Sequence, residues 1–129
     1  MKLLITFFLG LTLCSCSDSS SNLSEGELLG QKISQYISEQ KSKGKSLDIK
    51  GNFNHDLHGV VLNNLDLSET DLSGVNLSEA SISNCSFIKT NFKNANLTSA
   101  VIHDSNFEEA DLSGVLAIKS DLQGSLFTN

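Results

Sequence analysis

Three cysteines, three histidines and a run of acidic side chains are the groups in this 129-residue sequence that could do chemistry. Cys14 and Cys16 stand together near the start, and Cys85 stands alone. A thiolate can attack, ligate a metal or carry a covalent group, but each role needs an activating or ligating neighbour. His55 and His58 lie three apart in "HDLH", His103 is isolated, and "DSNFEEAD" at 104–111 gathers carboxylates. No arrangement pairs a nucleophile with its base, and there is neither a glycine-rich phosphate loop nor an H-E-x-x-H pair. These residues predict no catalysis and no cofactor, and the histidines no metal site. The acidic run leaves weak divalent-cation binding as an alternative. A formal net charge of −6 argues against nucleic acid as a direct partner, since phosphates need clustered Lys and Arg.

What the thiols do depends on where the chain puts them. The opening "MKLLITFFLGLTLCSCSDSS" has Lys2, an apolar run from Leu3 to Leu13, then small polar residues, which is the pattern of a secretory signal. The run is shorter than the ~20 apolar residues of a permanent span. "LCSC" at 13–16 resembles the lipobox of bacterial lipoproteins, in which a small residue precedes an acylated Cys. The resemblance implies that residues 1–15 are a signal peptide and that Cys16, after Ser15, is the lipidation site and new N-terminus. Leu13 stands where that pattern needs a small residue before Cys14. The alternative is an ordinary secretory signal with two incidental cysteines. In the enterobacterial version of the pattern an Asp after the acceptor retains the protein at the inner membrane; Ser17 favours the outer one, if the source is diderm. Cys85 would then be a lone thiol in an oxidising compartment, safest if buried.

Residues 16–23 read as a lipidated flexible tether, rich in small polar side chains. An amphipathic helix is predicted over 24–44. "SEGE" at 24–27 is a capping box, Leu28, Leu29, Ile33, Tyr36 and Ile37 fall on one stripe, and Gly44 offers a left-handed stop. Gly26 and Gly30 each cost a helix about 1 kcal/mol, so it needs its stripe packed against the protein. Residues 45–54, with Leu47, Ile49 and Phe53, read as a lead-in that covers the start of the domain beginning at residue 55.

Positions 71–75 and 111–115 are both "DLSGV". Cutting every five residues from His55 gives fifteen blocks that reach Asn129 without a gap. The central column is Leu, Ile or Phe in fourteen, with Ala117 the exception. The first column is small or β-branched in thirteen, His55 and Leu65 being the exceptions, and the second is Asp or Asn in nine.

These columns resemble the pentapeptide-repeat family, whose blocks read small, Asp/Asn, Leu/Phe, Ser/Thr, variable. The resemblance implies an all-β solenoid over 55–129, a right-handed quadrilateral β-helix with four blocks per coil. Fifteen blocks make just under four coils, about 18 Å tall at strand spacing. First and third residues point inward, the second faces solvent and the last two turn the corner. Phe87, Phe107 and Phe127 should stack as a ladder continued by Leu67. Cys85 falls in the inward small column and reads as inert packing. His55 is placed inward by the columns, with His58 and His103 at corners.

A solenoid's end coils are its liabilities. The 24–44 helix and the lead-in are expected to cover the first. At the other end Leu116 and Leu126 replace Asp or Asn, and Ile118 takes a usually polar corner. Together with Phe127 they form a candidate interface for a homodimer or another protein; simple fraying is the alternative. Residues 55–129 carry ten acidic groups against three lysines, net −7, whereas 17–54 balances five against five. That acidity is similar to the DNA-mimicking, gyrase-protecting members of the family, and a cytoplasmic DNA mimic is the alternative reading. Export and shortness oppose it. The leading expectation is a non-enzymatic, lipid-anchored, periplasm-facing protein that binds an envelope protein.

Overall fold

The structure is a computed structural model, and it describes residues 22–128. Helix α1 runs Glu25–Ser42 and the short α2 Ile49–Phe53; three-residue strands follow at β1 Val61–Asn63, β2 Ser81–Ser83 and β3 Val101–His103. The residues expected to form the signal, the acylated Cys16 and most of the tether lie outside the described range. Among the described residues no helix is long and apolar enough to cross a membrane.

The capping box forms as the sequence predicts. Ser24 Oγ accepts from the Glu27 N–H and Glu27 Oε2 accepts from the Ser24 N–H at 2.8 Å. Gly44 turns left-handed at φ 63°. Ile33 and Ile37 are buried, but Leu28 is not. A β-carbon on Gly26 or Gly30 would overlap the carbonyl oxygens of Gly59 and Val61. The two glycines are therefore the surface on which α1 meets the first coil.

The lead-in contains a helical turn that its sequence did not advertise. Asp48 caps α2 by accepting from Gly51 N–H at 2.8 Å, and Ile49 is buried in the cluster that also holds Leu57 and Val60. The Tyr36 hydroxyl accepts from Asp48 N–H and from Asn52 Nδ2, both at 3.1 Å, tying α2 to α1.

From residue 55 the chain pairs with itself twenty residues on, always in parallel. Four series of partners define four walls: 56–76–96–116, 61–81–101–121, 66–86–106–126 and 71–91–111. Block 75–79 shows how every N–H is satisfied. Val75 donates to Leu72 O, Asn76 to His55 O in the coil before, and Leu77 and Glu79 to Asn96 O and Thr98 O in the coil after. Ser78 N–H turns back to Asn76 Oδ1 at 3.2 Å. No backbone donor of the block is left over.

The second-column Asp and Asn thus do more than face water. Each accepts from the N–H two residues on, as Asp71 does from Ser73 and Asn106 from Glu108, both at 2.9 Å. Along a wall they also bond one another, with Asn76 Nδ2 donating to Asp56 Oδ1 at 2.9 Å. The expected all-β solenoid accordingly holds regular strand on one wall, where Val61, Ser81 and Val101 replace Asp or Asn. There the ladder extends over three residues. Where Asp121 restores the acidic residue it reverts to a single bridge, with Gln123 N–H bonded back to Asp121 Oδ1.

Every fifth position from 59 to 124 is left-handed, with φ between 51° and 71°. Gly, Asn and Asp fill eight of these corners, but Glu69, Glu79, Lys89, Ser99, Glu109 and Lys119 adopt the same conformation. Inside, the central and first columns form one core from Leu57 to Phe107. Buried hydroxyls in the first column are satisfied locally, as when Thr90 Oγ1 donates to Leu67 O at 2.8 Å.

Candidate interaction surfaces

The aromatic ladder is the backbone of the far end. Phe107 stacks on Phe87 at 4.9 Å and 23° and on Phe127 at 5.0 Å and 11°. Phe92 packs beside them, 5.2 Å from Phe87. Burial fails along the same line: Phe87 and Phe107 are 0% and 2% exposed, Phe127 44%. Leu116, Ile118 and Leu126 are likewise 55%, 61% and 49% exposed. Leu116 and Ile118 end the first wall, whereas Leu126 ends the third, which is opposite. A partner lying along one wall could not touch both sets; one seated over the end could.

The groups with chemical potential are dispersed. Cys85 is buried, its Sγ 3.4 Å from Ser83 O, and desolvation pushes the thiol's pKa up, so it stays protonated. His55 is exposed rather than inward, as an imidazole is when no partner is at hand to satisfy it in an apolar core. His58 Nδ1 lies 3.0 Å from Ser78 Oγ. His103 is not simply solvated, since its Nε2 lies 3.2 Å from Asp121 Oδ2. Among the described residues no three His, Cys, Asp or Glu side chains come together as a metal site.

Two carboxylates tie the solenoid to the segment before it. Lys41, hydrogen-bonded to Asp66 and aided by Ser68, lowers that carboxyl's pKa to about 2. Lys50, 2.6 Å from Asp71 and aided by Ser73, holds Asp71 at about 2 as well. With Gly26 beside Gly59 and Gly30 beside Val61, the contacts of α1 and α2 touch all four sides of the first coil in turn. Sequence reasoning had assigned neither lysine this role, because their partners lie 25 and 21 positions away.

The pentapeptide repeats model matches residues 54–78, 76–114 and 92–129, with eight copies. The chain belongs to the pentapeptide repeat family. Proteins of that family form right-handed quadrilateral β-helices and are generally non-enzymatic structural or interaction proteins.

Among solved structures it is similar to HetL, a pentapeptide repeat protein involved in heterocyst differentiation regulation from the cyanobacterium Nostoc sp. strain PCC 7120. Identity is 26% and the TM-score 0.52, over 56% of this chain and 34% of HetL. The chain thus spans about a third of HetL's length. A second similar structure is the pentapeptide repeat protein Rfr23 from the cyanobacterium Cyanothece 51142, at 28% identity and TM-score 0.28, covering 56% of this chain and 59% of that one. No curated protein matches.

Proposed function

We propose that the protein is a non-enzymatic, lipid-anchored component of the cell envelope that presents its repeat surface to another protein. In this reading residues 1–15 are removed and Cys16 is acylated. Residues 55–129 form just under four coils, closed on the N-terminal side by α1 and the lead-in. The outer membrane is favoured if the source is diderm, because Ser rather than Asp follows Cys16. Binding uses the last coil, through Leu116, Ile118, Leu126 and Phe127, with a second copy or an envelope protein as partner. The observation that carries the binding role is the exposure of these four side chains together on the last coil. Their placement on opposite walls favours end-on contact.

Acyl labelling tests the anchor: label should enter the wild type and vanish in Cys16→Ala. Light scattering of the soluble Cys16→Ala protein tests self-association. A dimer that Leu116→Asp with Leu126→Asp dissociates supports the reading, and a strict monomer at micromolar concentration removes the second copy as partner. The excess of seven negative charges over 55–129 favours a second reading, a cytoplasmic DNA mimic that binds a topoisomerase. Recovery of the full-length protein, N-terminus intact, from the cytosol would select it.

A further inference from the structure

We infer that the last coil of one copy takes up residues 21–23 of a second copy as one more strand of the solenoid. This rests on the reading above in which the last coil binds protein. Among the described residues seven large apolar side chains are exposed, and all but Val101 fall at the two ends. Leu23 and Leu28 flank the start of α1, which packs on the first coil; Leu116, Ile118, Leu126 and Phe127 stand on the last. Two unlike patches at opposite ends suit a head-to-tail contact between copies, whereas a two-fold contact needs one patch that meets itself.

The backbone of the last coil makes the same distinction. In block 110–114 the N–H groups of Leu112 and Gly114 and the carbonyl of Ala110 have no partner among the described residues. Their equivalents one coil down are paired: Phe92 and Asn94 donate to Asp111 O and Ser113 O, both at 2.8 Å, and Thr90 O accepts from Asp111 N–H at 3.0 Å. The pattern of two free donors to one free acceptor recurs in the next two blocks, so two such edges set face to face leave donors unpaired. A strand running parallel to 110–114 satisfies them instead. It has room, in a notch of about 450 Å³ lined by Ala110, Asp111, Leu112, Ser113 and Phe127. By the column rule such a strand reads small, polar, large apolar. Residues 21–25, "SNLSE", read that way outside the solenoid, and 22–25 repeat 76–79 letter for letter. In this pairing Asn22 donates to Ala110 O and accepts from Leu112 N–H. Leu23, 41% exposed in a single copy, then lies over Leu112 beside Phe127. Ser24 keeps its bonds to Glu27, so α1 stays capped.

The test adds Leu23→Asp or Leu126→Asp to the soluble Cys16→Ala protein and follows parent, variants and their equimolar mixture by sedimentation velocity at micromolar concentration. Both side chains are exposed, so the thermal midpoint should hold; Leu23→Ser or Leu126→Ser takes over where it does not. The parent should associate and each variant alone should be a monomer. The mixture should form a dimer, because it joins one intact last coil to one intact segment. Association of Leu23→Asp at the parent's level overturns the inference and leaves the last coil as the interface. Association of Leu126→Asp at that level removes the last coil instead, and the inference falls with the reading beneath it. A mixture that stays monomeric overturns the head-to-tail contact. A monomeric parent overturns it too, and leaves an envelope protein as the partner of the last coil.

Discussion

Gly30 of α1 lies so close to the carbonyl oxygen of Val61 that a β-carbon would overlap it. A helix residue chosen for size alone thus fixes how α1 sits on the first coil. Gly30→Ala gains about 1 kcal/mol of helix propensity, but backbone must move to admit the methyl, at a cost of about 1–3 kcal/mol. The expected net result is a lower thermal midpoint. Gln31→Ala, exposed on the same helix, should stay within about 0.5 kcal/mol of wild type. A more stable Gly30→Ala would mean that α1 does not press on Val61.

Phe107 is the buried rung between two others, and Phe127 the half-open last one. Phe107→Ala should destabilise by about 3–5 kcal/mol in urea melts. Phe127→Ala should cost no more than about half as much, since its outer face already meets water. Equal losses would contradict the ladder.

Much of this was legible in the sequence. The central and first columns keep step because stacking requires it, and the capping box names its own geometry. Three features were not. A second-column Asp looks solvated in any one block, and its bond to the N–H two residues on appears only when the turn is built. Lys41 and Lys50 find Asp66 and Asp71 across folded distance rather than chain distance. The inward placement of His55 failed because the column rule ignores chemistry: at the open start of the first coil the imidazole can stay in water and avoid the cost of burial.

Gly and Asn tolerate a left-handed corner most easily, yet Glu and Lys adopt the same backbone here. Ser99, at φ 58° and exposed, is a clean place to ask what that costs. A non-glycine residue there is disfavoured by about 1–2 kcal/mol, while glycine loosens the unfolded chain by about 0.4–1 kcal/mol. Ser99→Gly should therefore be neutral or stabilising by up to about 1 kcal/mol, and Ser99→Val destabilising by more than that, read from denaturant midpoints.

Acid should loosen the join between solenoid and helices. Asp66 and Asp71 bind protons less readily when folded, at about 2 against about 3.9 in an unfolded chain. Their contribution is complete above about pH 4 and is lost as pH falls through about 2. Both side chains are more than half exposed, so solvent screening limits each pair to under about 1 kcal/mol. Asp66→Asn with Asp71→Asn should flatten the stability profile between pH 4 and 2 relative to wild type (pH limits about as above). An unchanged profile would mean that these pairs add nothing to the join.

The stacking register itself is reached most directly by through-space proton contacts in an isotope-labelled NMR sample of the soluble Cys16→Ala protein. Contacts should join residues twenty apart, with the methyls of Ile82 meeting those of Ile102 and the ring of Phe87 meeting that of Phe107. Long-range contacts at other separations, or none along these columns, would mean that the chain does not coil on a twenty-residue turn.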